Sequence, residues 1–264
     1  YAVVCLVLLA MHRVRDRTAL RTAGVIYAVV IASLVGSALF LDRSAFMPGH
    51  DEALATAAGQ TQAMLGSPAE IIGHHVGGLD LLVLQAVSLQ GPTALAMFLL
   101  GMVAARRRLF SDIGDRALLL RRTQRIGFPV GLAGGAVYAA LGADASTWAT
   151  AVSVLTAPFL TAAYVATLVR LMHTPGAGWV RTALAPVGRV ALTNYLAQSA
   201  VGMILFTGVG LGFAGRASPP MLLLLAVAVF AGQSVMSAWW LKRHRYGPAE
   251  YVLRWFTTWR RPGR

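Results

Sequence analysis

Cysteine is almost missing from this chain: Cys5 is the only one in 264 residues. No intrachain disulfide and no multi-cysteine metal site can therefore form. Acidic residues are scarce too, 10 against 23 lysines and arginines, and charged side chains of both signs make up 12% of the sequence, about half the ~25% usual in a soluble domain. With 57% hydrophobic residues, too little charge remains to coat a water-exposed surface, and the composition reads as that of a membrane protein. The sequence also contains no phosphate-binding GxxxxGK[ST] loop, no GxSxG elbow and no HExxH pair, so the enzyme classes those motifs mark find no support. The surplus of positive charge does not suggest nucleic acid, because the arginines fall in short bunches between apolar runs and not across a polar face.

What is present is a series of uncharged runs. Tyr1 to Met11 is about half the ~20 residues that a spanning helix needs, so the chain reads as starting inside a helix, and this run has neither the basic flank nor the cleavage site of a signal peptide. Full spans follow at Thr22–Leu41, Leu81–Ala105, Ile126–Ala143, Ala145–Val169, Gly188–Gly212 and Ala217–Leu241. Gly91-Pro92 should kink the second of these, since proline removes a backbone donor. Gly127, Gly131, Gly134, Gly135 and Gly142 should let the third pack closely. The Ser and Thr residues of the fourth can bond to carbonyls of their own helix. Between residues 42 and 78 lies the longest polar stretch, with a short surface helix expected over Asp51–Leu65.

Loop charge sets the orientation, because Lys and Arg favour the cytoplasmic side. Residues 12–21, 106–125, 170–189 and 242–264 hold 21 of the 23 basic residues, and the alternate connections hold 2. The expected architecture is all-α: a polytopic transmembrane bundle of six complete spans and one partial N-terminal span, forming one domain over residues 1–264. Residues 42–78 would be an extracytoplasmic loop and 242–264 a cytoplasmic basic, aromatic tail, in a bacterial inner membrane.

Polar groups inside the spans are the candidates for function. Asn194 and Gln198 are four residues apart, as are Tyr195 and Ser199, so they share neighbouring faces of one helix. Gln198 lies nine residues past Arg189 and Gln233 eight before Leu241, which puts both roughly 12–14 Å from the basic end at ~1.5 Å per residue. Ser237 falls near the level of Asn194 and Tyr195. These residues either line a polar cavity or make hydrogen bonds between helices. On the outer side, His74, His75 and Asp80, with Asp42, His50, Asp51 and Glu52 nearby, either serve proton transfer or are solvated loop residues. They show no recognised metal spacing, and no metal is assigned. In the tail, Pro248 and Glu250 start a helix, with Arg254 as the Glu250 partner one turn on. Tyr251, Trp255 and Trp259 mark one face, suited to the interface of a bilayer rich in anionic lipid.

The strings Gly188-Arg189-Val190-Ala191-Leu192-Thr193-Asn194-Tyr195-Leu196-Ala197-Gln198-Ser199 and Gly247-Pro248-Ala249-Glu250 with Arg254, joined by Trp240-Leu241 and Phe98-Leu99-Leu100-Gly101-Met102, resemble the YeiB-like family of bacterial multi-pass membrane proteins, domain of unknown function 418. The resemblance covers most of the chain from about residue 95. That family is similar to transmembrane acyltransferases of the heparan-glucosaminide acetyltransferase kind, which pass an acyl group from cytoplasmic acyl-CoA to an acceptor across the membrane. The resemblance implies a cavity in the bundle beside Arg189, Asn194, Tyr195 and Gln198, a rim at Glu250 and Arg254, and acyl-CoA as a co-substrate. The reactive histidine of those acyltransferases belongs to an N-terminal part without a counterpart here, so no catalytic role passes to His74 or His75. Transport of a small solute or lipid, with the same amides along its path, is the alternative.

Overall fold

A computed structural model describes residues 2–40, 50–109, 113–141 and 146–259, and among these the regular structure is entirely helical. Asp42, Asp144, Gly142, the start of the 42–78 stretch and residues 260–264 lie outside the described residues, as do the side chains of His50, Asp51 and Glu52. The helices are α1 (Ala2–Ala10), α2 (Asp16–Phe40), α3 (His50–Leu65), α4 (Pro68–Gly77), α5 (Leu79–Gln85), α6 (Gly91–Arg106), α7 (Ile113–Ala140), α8 (Thr147–His173), α9 (Gly178–Arg189), α10 (Ala191–Phe206), α11 (Pro219–Leu241) and α12 (Pro248–Thr258). Among the described residues, four stretches are long and apolar enough to cross a bilayer: Asp16–Phe40, Leu79–Arg106, Thr147–Met172 and Pro219–Leu241. At 16 residues, α10 is shorter. The apolar part of α7 is confined to its second half, because Arg116, Arg121, Arg122 and Arg125 occupy the first.

The chain divides into two compact units, one made of residues 1–47 and 79–174, the other of 48–78 and 175–264. In the first unit α2 meets α6 through small side chains. Ala19 and Ala23 face Ala96, Leu99 and Val103, all at most 4% exposed, and such residues let membrane helices approach closely. Asp16 at the start of α2 pairs with Arg106 at 3.3 Å and Arg107 at 3.1 Å, and Arg106 also donates to the carbonyls of Val14 and His12. This brings the first two basic clusters of the sequence to one end of the unit.

The expected break at Gly91-Pro92 takes the form of a π-helical turn over Ala86–Gln90. Pro92 has no N–H to give, and the wider turn lets Gly91 donate to Ala86 instead. A Cβ at position 91 would stand 2.7 Å from that carbonyl oxygen.

α7 and α8 pack in close contact through a glycine stripe. A Cβ on Gly127 would stand 2.4 Å from the Phe159 carbonyl oxygen, one on Gly131 2.4 Å from Leu160 Cβ, and one on Gly134 1.9 Å from Thr156 Oγ1. Gly135 faces open space. At the basic end Gln124 donates to Thr167 at 2.6 Å and accepts from Arg170. Elsewhere on α8 the hydroxyls of Thr150, Thr156 and Thr167 bond to carbonyls of their own helix.

The second unit holds most of the residues singled out above, and it differs from the sequence-based segmentation in two places. The 170–189 connection is not a plain loop: α8 continues to His173 and α9 begins at Gly178. The span Gly188–Gly212, uncharged apart from Arg189, is likewise not one helix. α9 ends at Arg189, Val190 takes a non-helical conformation, α10 stops at Phe206, and turns follow. Those turns carry Gly208, Gly210, Gly212 and Gly215, and they enclose the end of α3. The Gly208 amide donates to Met64 O at 2.9 Å, and a Cβ there would stand 2.1 Å from Leu65 O. The short helix expected at Asp51–Leu65 is present, followed by α4, whose capping box pairs Ser67 with Glu70.

Candidate functional site

The break at Val190 exposes the amides that open α10, and the first turn of α10 is capped from a distant part of the chain. Glu250 Oε1 accepts from the Thr193 amide at 3.1 Å, and the Thr193 hydroxyl donates to Oε2. The same hydroxyl oxygen accepts from the Ala249 amide at 3.1 Å, so Thr193 also caps the start of α12. Two helix N-termini thus share one carboxylate and one hydroxyl, a reciprocal cap built from residues 57 apart in sequence. Gly247 is required by this arrangement, because a Cβ there would stand 2.2 Å from Glu250 Oε2 and 2.5 Å from Thr193 Oγ1. Pro248 at the first helical position loses no bond.

This corrects the expected Glu250–Arg254 pair. Glu250 turns to the backbone of α10, which offers it several donors, and Arg254 lies over the Tyr246 ring at 4.6 Å. Burial works against a charged Glu250, but hydrogen bonds from the Thr193 hydroxyl and amide, from its own amide and from that of Leu192 outweigh it and hold the carboxyl below its ordinary value near 4.5. The stability it lends is therefore complete above that ordinary value and is lost as pH falls through the depressed one. Glu250→Gln should lower stability at pH 7 by about 1 kcal/mol, as loss of a good cap does. Its melting temperature should approach that of the wild type as pH drops below 4.5; an equal gap at every pH would show that the carboxylate is not what holds the two helices.

The next residue along α10 after Thr193 begins a seam of amides. Asn194 Nδ2 donates to Ser237 Oγ at 2.9 Å and to the Val187 carbonyl at 3.3 Å, while Ser237 donates back to Asn194 Oδ1 at 3.3 Å. Gln233 Nε2 donates to the Asn194 carbonyl and Gln198 Nε2 to Gln233 Oε1, both at 2.9 Å. Asn194, Gln233 and Ser237 are 9%, 8% and 3% exposed, and among the described residues no buried side-chain nitrogen or oxygen lacks a partner. Tyr195 is exposed, and Ser199 donates to the Tyr195 carbonyl of its own helix. Past the seam, α10 and α11 border a cavity of about 340 Å³ that reaches Gln198 but is otherwise lined by Leu, Val, Phe, Ala and Gly. Arg189 donates to the Arg245 carbonyl at 3.4 Å, tying the end of α9 to the start of the tail.

His74 and His75 close α4, their rings 6.0 Å apart and edge to face, and His75 Nδ1 lies 2.8 Å from the Ile71 carbonyl. Asp80 is an exposed residue in the first turn of α5, in the other unit. Thr193 and Gly247 were the site residues that sequence reasoning did not single out. Both stand inside the two specific strings quoted above, and only the fold shows that those strings touch.

The first unit holds a cavity of about 760 Å³ that no single motif announces. Its walls come from α2, α6, α7 and α8 and include Tyr27, Met97, Gly101, Leu120, Pro158 and Val165. The hydroxyls of Tyr27, Thr93 and Thr123 donate to the carbonyls of Val154, Leu89 and Leu119. Three of the five lining hydroxyls are thus spent on backbone, those of Ser153 and Thr161 add a small polar patch, and the rest of the wall is chiefly apolar.

Described residues that are all helical in their regular structure, with four bilayer-length apolar helices and buried amides satisfied within the protein, mark an integral membrane protein. It belongs to the family described as "Protein of unknown function (DUF418)", whose model matches residues 104–260. The seam and the Thr193–Glu250 cap fall inside that region; His74, His75 and Asp80 fall outside it. The chain is 35% identical over 159 residues to uncharacterized protein YxaH of Bacillus subtilis (strain 168), a match covering 60% of this chain and 38% of that protein. It is 36% identical over 114 residues to an uncharacterized 39.9 kDa protein in the amylase 3' region of Bacillus acidopullulyticus, covering 43% of this chain and 32% of that protein. The chain therefore matches well under half the length of either relative. No solved structure matches.

Proposed function

We propose that this is a multi-pass protein of the bacterial cytoplasmic membrane, with its C-terminus in the cytoplasm, that takes an acyl group from cytoplasmic acyl-CoA and passes it to an extracytoplasmic glycan or lipid. The cavity of about 760 Å³ in the first unit carries this reading. It falls within the ~300–1,000 Å³ typical of small-molecule sites, and three of its lining residues, Leu109 after α6 and Leu119 and Thr123 on α7, belong to the arginine-rich stretch 106–125. An acyl chain suits walls that are chiefly apolar, and the neighbouring arginines suit the phosphates of a thioester carrier. A polar solute would find few partners there, which favours acyl transfer over solute transport. The distribution of 21 basic residues on one side and 2 on the other supports the orientation. The acyltransferases of the heparan-glucosaminide acetyltransferase kind that the sequence resemblance implies as relatives of the family fit the same reading.

Sealed vesicles containing the full-length protein test this with radiolabelled acyl-CoAs of several chain lengths supplied outside or inside. Label should reach an acceptor on the far side only when acyl-CoA is on the arginine-rich side. Flux of a labelled lipid with no consumption of acyl-CoA would instead make the protein a transporter. Gly101 offers a sharper probe, since a Cβ there meets nothing within 4 Å and the position lines the cavity. Gly101→Phe should fold normally and bind long-chain acyl-CoA at least ten times more weakly, with little effect on acetyl-CoA. Unchanged long-chain affinity would place the acyl chain elsewhere.

A further inference from the structure

Directly after the last span, residues 240–252 enclose a second cavity, also of about 760 Å³. Its walls include Trp240, Arg243, His244, Arg245, Tyr246 and Tyr251. We infer that it binds a phosphate ester at the membrane surface, with an anionic phospholipid headgroup as its occupant.

Charge is the first reason. Arg243 and Arg245 lie over the rings of Trp239 and Tyr246 at 5.1 and 5.6 Å, and among the described residues no carboxylate pairs with either. Glu250, the acidic residue nearest in sequence, is committed to Thr193 and the start of α10. The local positive charge is therefore uncompensated, and guanidinium groups recognise phosphate oxygens with paired donors.

Geometry is the second reason. Trp240 donates from Nε1 to the Tyr246 carbonyl at 3.0 Å and stacks on His244 at 4.0 Å, so the loop carrying the arginines is folded onto a fixed aromatic floor. Arg189 and Thr193 hold the two ends of that loop through the Arg245 carbonyl and the Ala249 amide.

Position is the third. The cavity begins where α11 leaves its apolar span at Leu241, and α12 beside it shows Trp255, Phe256 and Trp259, which are 46%, 59% and 83% exposed. Aromatic side chains of this kind settle at the headgroup level of a bilayer, with the cavity at the same height. This site is independent of the acyl cavity in the first unit and would stand if acyl transfer failed.

The test is native mass spectrometry and thermal stability of the full chain in detergent with three probes: dioctanoyl phosphatidylglycerol, dioctanoyl phosphatidylcholine and inorganic phosphate. Phosphatidylglycerol should be retained at least tenfold more strongly than phosphatidylcholine. Arg243→Gln with Arg245→Gln should abolish the preference, while the paired lysine substitutions keep most of it and so report that the fold is intact. Arg17→Gln with Arg21→Gln, on α2 of the other unit, should leave that preference unchanged. If inorganic phosphate displaces the lipid at millimolar concentration, the phosphate itself supplies the recognition, and a soluble phosphate ester shares the site. No such displacement marks the headgroup as the source. Equal retention of the two lipids, or a preference that survives the glutamine pair, would overturn the assignment.

Discussion

Gly127→Leu should separate α7 from α8 and cost roughly 3 kcal/mol, at the upper end of what overpacking a close contact usually costs. The obstacle is the Phe159 backbone carbonyl, 2.4 Å from where the new Cβ would stand, with Ala163 Cβ at 2.9 Å. A flexible side chain could swing away, but a helix backbone has to move as a whole. Moving α8 would pull Thr167 and Arg170 from Gln124, because those bonds need the two helices in contact. Gly135→Leu is the matched control, on the same helix with nothing within 4 Å, and it should be tolerated, since replacing glycine in a helix costs nothing in propensity. Titration with a denaturing detergent, followed by helix content, would read the difference. Equal stability of the two variants would show that the glycine stripe is not the contact surface.

Asn194→Leu should cost about 2 kcal/mol. Interhelical hydrogen bonds in membranes average only ~0.6 kcal/mol, but this amide serves both Ser237 and the Val187 carbonyl, and the Ser237 hydroxyl is 3% exposed. Leucine would leave both without their partner, and a buried unsatisfied group costs ~1–3 kcal/mol. Ser237→Ala in the same background should recover part of the loss, a coupling of about 1 kcal/mol in a double-mutant cycle. Ser199→Ala, whose hydroxyl bonds only to its own helix, should change stability by less than 0.5 kcal/mol, as surface substitutions do. Strict additivity of Asn194→Leu and Ser237→Ala would mean that the two side chains do not act together.

These two contacts also show what the sequence makes legible. Glycines at 127, 131 and 134 recur at helical spacing, and periodicity alone is enough to expect a close partner for that face. Counting residues inward from Arg189 and Leu241 puts Gln198 and Gln233 at one depth, and they are hydrogen-bonded in the structure. Local rules gave the wrong partner for Glu250. Arg254 is one turn away, but the competing donors are backbone amides of α10, and nothing near residue 250 in the chain signals them. The break at Val190 is hidden for the same reason: the run looks continuous until a distant carboxylate caps the amides near its start. The cavity of the first unit is assembled from four helices, and each contributes ordinary apolar residues that carry no motif.

The central functional claim is that this cavity holds an acyl chain, and photolabelling tests it most directly. Full-length protein in bilayer nanodiscs would be irradiated with a long-chain acyl-CoA bearing a diazirine near the end of its tail, then digested and mapped by mass spectrometry. Labelling should saturate, concentrate on cavity residues such as Met97, Pro158 and Val165, and fall to background in Gly101→Phe. Label spread over outward-facing residues such as Val25 and Leu84, 63% exposed in each case, and unchanged by Gly101→Phe, would contradict the claim.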